Sequence, residues 1–520
     1  MNTYSYCILT SGRLFEIPYG EEGFTLRLGR WLLEHNLDVV LIGSTFTGVK
    51  EEFLSKITST DVVGAASTLV SIATIFSVVA ALGVPTGVQR FLSKSFSEQK
   101  IQDTHIFIRG SLVLVSFGIV ACSIAILIAR DFFHDVFKID YSLMLVFIVM
   151  IISLSTFNLF RSIIISSLRT KILPVISLIA AATKIALGII LVLVGMHTLG
   201  ITIGFASFTI LGSVLLLFML RSYLKTHNNE TETKLKKSLK DTLSASLANW
   251  LPALVTTIGS QLGTIMIFGS KGASSAGIYF IGFSVFSAIF AIASVLLSIA
   301  YPALSAMPDG RKRFAWRITK MSLIITIPIS SGLIYYSREI MQLFGHTYVD
   351  GTLSLQILLL SSLPAIIASG VNALVYSNGN YRQVLVIGFA SSIPRTALYF
   401  LLVPLYGSEG AAISYTAGSV IGFVVSVIFA RKIGLHIFWK DLFLILVIPM
   451  GLGFMLSYVE INYVLGIIVT CIASYILFLK IGIINRMDIN DSVGVLPPKI
   501  ANPTLKILNV IGKKLNGQYY

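Results

Sequence analysis

The sequence is poor in charged residues for its length. Asp, Glu, Lys and Arg make up 12% of its 520 residues and 55% are hydrophobic, whereas a water-soluble protein has about a quarter charged residues. This composition excludes a disordered chain, a coiled coil and a water-soluble enzyme. Apolar runs of about 20 residues, the length at which a helix crosses a bilayer, recur from residue 62 to residue 485. Because they are apolar on all sides instead of alternating, they exclude a β-barrel and predict an all-α polytopic membrane protein.

Cysteine motifs and an export signal are also missing. Cys7, Cys122 and Cys471 are widely separated, so they form neither a disulfide framework nor a zinc-binding pattern, and we expect no metal or other cofactor. The N-terminus lacks the basic region and apolar core of a secretory signal peptide. The net charge of +15 does not indicate a nucleic-acid partner, because helical membrane proteins collect basic residues in their cytoplasmic loops.

Thirteen membrane spans are predicted, and the charges between them give their orientation. Of the basic residues in loops and span ends, 21 fall on one side and 4 on the other, and the positive-inside rule makes the first side cytoplasmic. The first span then runs inwards and leaves residues 1–60 outside. The predicted spans are about 62–84, 106–129, 141–160, 172–195, 198–220, 243–268, 275–301, 317–336, 353–376, 383–405, 408–430, 442–458 and 461–484.

Residues 1–50 have a different pattern. YSYCILT is typical of a short buried strand, SGRLFEIPYGEEG of a loop, FTLRLGRWLLEHN of an amphipathic helix and LDVVLIGS of a second strand, which together predict a β-α-β unit. The segment resembles the N-terminal start of a GT-B glycosyltransferase, a two-domain enzyme that uses nucleotide sugars. Such enzymes need two complete domains, so we assign no catalysis to this fragment and expect the chain not to be an enzyme.

An internal duplication relates two segments of the apolar region. KILPVISLIAAATKIALGIILVLVGMHTLG, from Lys171, aligns with RQVLVIGFASSIPRTALYFLLVPLYGSEG, from Arg382. Charged and glycine landmarks match within one residue of a common shift of 211, and such repeats predict a transporter with two parallel lobes and a site between them. The matched pairs are Lys171 and Arg382, Lys184 and Arg395, Gly195 and Gly407, Gly200 and Gly410, and Arg221 and Arg431.

The repeat places two cations deep inside predicted spans. Lys184 follows the cytoplasmic start of its helix by about 12 residues, or roughly 18 Å, and Arg395 lies at the same depth in the second lobe. Arg161 lies about two turns from the cytoplasmic end of its span. A cation at a helix centre is unfavourable by roughly 2.5–3.5 kcal/mol, so we predict that Lys184, Arg395 and Arg161 face a cavity and bind substrate. Snorkelling to the membrane surface is the alternative, and it is open to Arg161 alone.

The cores of the predicted spans contain no Asp or Glu to neutralise these cations. An anion from outside the chain, such as a phosphate, a pyrophosphate or a uronate, is the expected counterion. The same absence argues against a proton- or sodium-coupled antiporter, because the ion relay of such a protein needs an intramembrane carboxylate.

Five stretches, spread over about residues 58–485, are similar to a known family. They are LGVPTGVQRFLSK, AGIYFIGFSVFSAIFAIASVLLSIAYPALSAM, LFGHTYVDGTLSLQILLLSSLP, NALVYSNGNYRQVL and, the closest, SIPRTALYFLLVPLYGSEGAAISY. On these residues the chain resembles the polysaccharide-biosynthesis or oligosaccharide flippases of the multidrug/oligosaccharidyl-lipid/polysaccharide (MOP) exporter superfamily. The resemblance implies a non-enzymatic transporter that moves lipid-linked oligosaccharides across the cytoplasmic membrane.

The resemblance also implies a domain organisation. Members commonly have a 14-helix pattern of two six-helix lobes and two extra helices, whereas this sequence has five predicted spans before its basic linker and eight after it. We therefore expect the family's first helix to be missing, with the glycosyltransferase-like fragment in its place. The predicted units are a β-α-β fragment at 1–57, an N-lobe at 58–220, a basic cytoplasmic linker at 221–242, a C-lobe at 243–434, two additional helices at 435–486 and a cytoplasmic tail at 487–520.

The leading hypothesis is a flippase for polyprenyl-phosphate- or pyrophosphate-linked glycans in the plasma membrane, which works by alternating access. The expected partners are the anionic glycolipid substrate, membrane lipids and enzymes of glycan biosynthesis. Three alternatives stay open. They are a cation-coupled drug or small-molecule antiporter of the same superfamily, a membrane-tethered glycosyltransferase that uses residues 1–50, and an inactive fusion product.

Overall fold

Helices make up nearly all of the protein that the structure, a computed structural model, describes. The described residues are 7–10, 13–16, 59–97, 101–137, 140–167, 172–224, 232–306 and 309–484. The α-helices are α1 (Thr60–Ala81), α2 (Val84–Ser97), α3 (Ile101–Ile128), α4 (Arg130–Phe137), α5 (Tyr141–Ser166), α6 (Leu173–Leu191), α7 (His197–Leu224), α8 (Glu232–Lys271), α9 (Ala273–Ala306), α10 (Arg311–Tyr335), α11 (Ser337–Phe344), α12 (Thr352–Leu360), α13 (Ser362–Ser377), α14 (Tyr381–Lys432), α15 (Trp439–Tyr458) and α16 (Tyr463–Ile481).

Two short strands precede the helices. β1 (Cys7–Thr10) pairs antiparallel with β2 (Arg13–Glu16). The prediction of a loop at Arg13–Glu16 is therefore wrong, because the two residues Ser-Gly between the strands are a typical hairpin connection. The predicted β-α-β unit is not confirmed, since its helix and second strand lie outside the described residues.

Eleven segments of the described chain are long and apolar enough to cross a membrane. Two of them, Val175–Arg221 and Arg382–Lys432, have 47 and 51 residues, more than twice the roughly 20 residues that a bilayer requires. The protein is therefore a multi-pass membrane protein. The predicted number of thirteen spans is not confirmed by this count.

Each of the two long segments folds back on itself at a glycine. Gly195 has φ 92° and Gly407 has φ 55°, a region of backbone space that glycine enters without the steric penalty of a side chain. On either side of these turns the two arms pack against each other along their length. We call the two units hairpin 1 (residues 173–224) and hairpin 2 (Tyr381–Lys432).

A second glycine follows each turn and lets the two arms approach closely. A Cβ atom on Gly200 would lie 3.0 Å from Leu191 Cβ, and one on Gly410 would overlap the Leu402 carbonyl group. The turn glycines and these packing glycines are the landmarks that the sequence repeat matched. The repeat thus corresponds to two helical hairpins with the same turn and the same close contact.

The first helices of the chain contact the second half (residues 232–484) at both ends of the bundle. At the end where α1 begins, Thr60 Oγ1 and Ser274 Oγ of α9 share a hydrogen bond of 2.7 Å. A Cβ atom on Gly64 would overlap the Ala273 carbonyl, and one on Gly277 would overlap the Thr60 carbonyl. The backbones of α1 and α9 therefore touch directly, and we call this contact the α1–α9 crossing.

At the other end, which bears most of the basic residues and which we call the basic end, α1 stops at a helix break. Leu82 (φ 51°) and Gly83 (φ 70°) both have left-handed backbone angles, and α2 starts directly after them. Trp250 Nε1 of α8 donates a hydrogen bond of 3.0 Å to the Val78 carbonyl, and a Cβ atom on Gly83 would overlap the Ser246 carbonyl. The α1–α2 break is thus fixed against α8.

The last two helices, α15 and α16, pack on α10. The buried Lys320 Nζ of α10 donates a hydrogen bond of 2.8 Å to the Ile483 carbonyl, just beyond α16. Tyr475 Oη donates to the Ile325 carbonyl at 3.4 Å, and Gly466 lies against the ring of Tyr336. These contacts attach α16 to α10.

Replacing Lys320 by methionine is expected to destabilise the protein by about 1.5–3 kcal/mol, because a charged hydrogen bond is lost and a buried carbonyl is left unpaired. Thermal melting of the purified chain in detergent measures the effect. Lys312→Met, at an exposed position of the same helix, is the matched control and should melt like the wild type. Identical melting of both variants would show that Lys320 does not anchor α16.

Candidate functional site

Lys184 lies in the first arm of hairpin 1, where only 5% of the residue is exposed. Its Nζ lies 3.2 Å from the centroid of the Phe205 ring, which belongs to the second arm. Such a contact is worth about 2 kcal/mol or more where water is excluded, because the ring face is electronegative. The Phe205 ring in turn meets Phe280 of α9 edge to face, with 6.5 Å between centroids. The lysine–phenylalanine pair therefore borders the second half of the bundle.

Arg395 lies in the first arm of hairpin 2, and 6% of it is exposed. Its Cζ is 3.9 Å from the centroid of the Tyr415 ring, and Nη2 donates a hydrogen bond of 3.0 Å to Ser419 Oγ. Ser419 donates in turn to the Tyr415 carbonyl at 2.9 Å, which fixes the acceptor in place. The Nε atom is buried and has no hydrogen-bond partner among the described residues, so its N–H group is an unused donor.

The two cation–ring pairs occupy equivalent positions of the internal repeat. Phe205 and Tyr415 differ by 210 positions, as do the landmarks Arg221 and Arg431 in the same two arms. The repeat therefore places an aromatic ring from the second arm over a cation from the first arm in both hairpins. In the sequence the cations are conspicuous within apolar spans and the rings are not, although the shift of 210 also matches the two rings.

Further aromatic side chains surround Arg395. The Phe283 and Phe286 rings of α9 each lie 5.4 Å from the Tyr415 ring, in edge-to-face geometry. Tyr399 is fully buried and donates a hydrogen bond of 3.1 Å to the Gly259 carbonyl of α8. These rings exclude water from the guanidinium and leave it in an environment of low polarity.

Arg161 lies elsewhere, five residues before the end of α5 at Ser166 and so roughly 8 Å from that end. It is exposed to a cavity of about 310 Å³ at the basic end, which Gln89 and Asn158 also line. Gln89 Nε2 donates a hydrogen bond of 3.0 Å to Ser162 Oγ, which ties α2 to α5 beside the cavity.

The structure therefore does not bring the three predicted site residues together. Arg161 faces a cavity, as expected. Lys184 and Arg395 were expected to face one as well, but in this conformation both lie on aromatic rings in a packed interior, because the second arm of each hairpin covers them. Their role in binding substrate stays a prediction.

Known proteins with the same fold are membrane transporters. The VcmN MATE transporter of Vibrio cholerae is 14% identical, with a TM-score of 0.58 over 79% of this chain and 98% of that one. A MOP superfamily transporter of Pyrococcus furiosus is 14% identical, with a TM-score of 0.58 over 80% and 98%. The lipid II flippase MurJ, in an inward closed conformation, is 16% identical, with a TM-score of 0.53 over 88% and 98%.

The amino-acid sequence itself assigns the chain to a family. No curated protein matches the chain, but the model of the polysaccharide biosynthesis protein family matches residues 65–351, more than half of the chain. This agrees with the resemblance found in the sequence motifs and with the fold of the MATE and MurJ structures. The chain belongs to the polysaccharide biosynthesis protein family, and it has the fold of the MATE and MurJ structures.

Proposed function

We propose that the protein is a flippase that moves glycans linked to a polyprenyl phosphate or pyrophosphate across the plasma membrane. The observation that supports this most is the pair of buried cations at equivalent positions of two hairpins, each resting on an aromatic ring. A desolvated cation is unfavourable in the membrane, and two of them are retained at the same place in the repeat. An anionic cargo explains why both buried cations are present.

In this proposal each hairpin counts as two crossings, which gives thirteen spans arranged as an N-lobe (58–220) and a C-lobe (243–434). The rings of Phe205 and Tyr415 are the resting partners of Lys184 and Arg395. When the lobes separate, each cation exchanges its ring for an oxygen of the phosphate, because a charge-assisted hydrogen bond to an anion is stronger than a contact with a ring. The lipid tail stays in the bilayer throughout.

The distribution of carboxylates favours this proposal over a cation-coupled drug antiporter. The helix arms around Lys184 and Arg395 contain no Asp or Glu, and Glu409 lies at the turn of hairpin 2. A proton or sodium relay needs a carboxylate within the membrane. The positively charged loops place the basic end in the cytoplasm. On that side the expected partners are membrane lipids and the enzymes of glycan biosynthesis, which supply the substrate.

Flipping by the purified full chain in proteoliposomes tests the proposal. The probe is a fluorescent disaccharide linked through pyrophosphate to a prenyl chain, and its movement between leaflets is followed by quenching with a membrane-impermeant reductant. We expect protein-dependent flipping. Uptake of a cationic dye that requires a proton or sodium gradient, without glycolipid movement, would instead show the antiporter. Absence of both activities in folded protein would show an inactive fusion product.

A further inference from the structure

The cavity at the basic end combines a guanidinium group with the start of a helix. It is lined by Arg161, Asn158 and Ser162 of α5, by Thr86 and Gln89 of α2 and by Ser77 of α1. None of the described residues that line it is acidic. The polar groups that surround Arg161 are therefore amides and hydroxyls, which can bind a ligand without neutralising the arginine.

The α1–α2 break forms part of the cavity wall and adds a second positive element. The chain leaves α1 through two left-handed residues, and Gly83 and Pro85, at the start of α2, both line the cavity. The amide groups of Thr86 and Gly87 are bonded to the Gly83 carbonyl at 3.1 and 3.0 Å, as expected in the first turn of a helix. The N-terminus of a helix bears a partial positive charge, and interrupted membrane helices commonly direct such an end at an anionic substrate.

The size and position of the cavity limit what it can hold. A volume of about 310 Å³ is at the lower end of the range for small-ligand sites, roughly 300–1,000 Å³. It therefore suits a phosphate or pyrophosphate with one neighbouring sugar ring. Ala253 of α8 also lines it, so the cavity lies where the two lobes meet.

We propose that this cavity is a separate loading subsite, in which Arg161, beside the positive end of the α2 dipole, binds the phosphate or pyrophosphate of the lipid carrier before the lobes move. The inference depends on the proposed function for the identity of the carrier, but the binding of pyrophosphate can be measured by itself. Arg161 acts first and at the cytoplasmic side. Lys184 and Arg395 act later, once they leave their rings.

Binding of two probes to the purified full chain tests the subsite. By calorimetry we expect geranylgeranyl pyrophosphate to bind and inorganic pyrophosphate to bind more weakly. Uncharged geranylgeraniol should not compete with either probe for the cavity. Arg161→Gln should lower the affinity for both pyrophosphate probes about tenfold or more, since an arginine–phosphate contact is charge-assisted and can be bidentate. Binding of inorganic pyrophosphate without geranylgeranyl pyrophosphate would assign the site to a soluble ligand and overturn the proposal.

Matched variants separate this inference from the proposed function. Arg221→Gln removes an exposed arginine from the same end of the bundle and should bind both probes like the wild type. Unchanged binding by Arg161→Gln would overturn the subsite even if the wild type flips glycolipid. Loss of binding in that variant, with a wild type that flips no glycolipid, would uphold the subsite and remove the proposed function.

Discussion

Replacing Lys184 and Arg395 together by glutamine is expected to lower the flipping rate about 1,000-fold. In the proposed mechanism each cation exchanges its ring for an oxygen of the phosphate, and loss of one partner of such a charged contact is unfavourable by roughly 2–5 kcal/mol. A loss of about 2 kcal/mol corresponds to about 30-fold in rate. Since the two residues lie in different hairpins, their effects should be close to additive.

The repeat supplies the control for this experiment. Arg221 and Arg431 are also equivalent in the repeat, but both are exposed at the ends of their hairpins. The double glutamine variant of these two residues should flip glycolipid at the wild-type rate. Folding of all variants is checked by size-exclusion chromatography and thermal melting. Wild-type flipping by the Lys184 and Arg395 variant would remove both residues from the site.

Replacing Gly64 by leucine is expected to prevent the α1–α9 crossing from closing. The first side-chain carbon at this position would overlap the Ala273 carbonyl, and a backbone group cannot turn away as a flexible side chain can. Overpacking is unfavourable by typically 1–3 kcal/mol, and here it acts only on conformations in which α1 and α9 touch. We therefore expect a folded protein that favours separated helices at this end and flips glycolipid at least about tenfold more slowly, as 1.4 kcal/mol would predict.

Disulfide formation between cysteines at positions 60 and 274 measures this closure directly. The two hydroxyl oxygens are 2.7 Å apart, so Thr60→Cys with Ser274→Cys should cross-link readily in a background without Cys7, Cys122 and Cys471. Adding Gly64→Leu should abolish the cross-link. Gly269→Leu is the control, because nothing lies within 4 Å of a Cβ atom there. Equal cross-linking in both glycine variants would contradict the close contact.

The sequence predicted much of the fold because membrane helices leave a strong local pattern. Apolar runs and basic loops identified the spans, and the glycine landmarks marked the turns of both hairpins at Gly195 and Gly407. The loop predicted at Arg13–Glu16 was wrong, because these residues pair with β1 and the sequence signal of the Ser-Gly dipeptide before them was overlooked. The α1–α9 crossing was not predictable, since it joins residues more than 200 positions apart and small residues in a span have many possible partners.

The candidate site was predicted in part. A charged residue inside an apolar span is conspicuous, so Lys184, Arg395 and Arg161 could be found from the sequence alone. Phe205 is one of 33 phenylalanines in the chain, and an apolar ring in an apolar helix gives no signal of its own. The separation of Arg161 from the other two follows from its shallower position in its helix. The cavity beside Arg161 includes the α1–α2 break, which the sequence suggests only through the turn-forming residues of LGVP.

Comparing the flipping rates of a charged and an uncharged glycolipid tests most directly whether the buried cations bind an anionic cargo. Two fluorescent glycolipids with the same disaccharide and the same prenyl tail are compared in wild-type proteoliposomes, one linked through pyrophosphate and one through an uncharged ether. We expect the charged lipid to flip about 100-fold faster or more, since two buried cations each contribute a charge-assisted contact of roughly 1.5–3 kcal/mol. Equal flipping of the two lipids would contradict it, because Lys184 and Arg395 would then have no anion to bind.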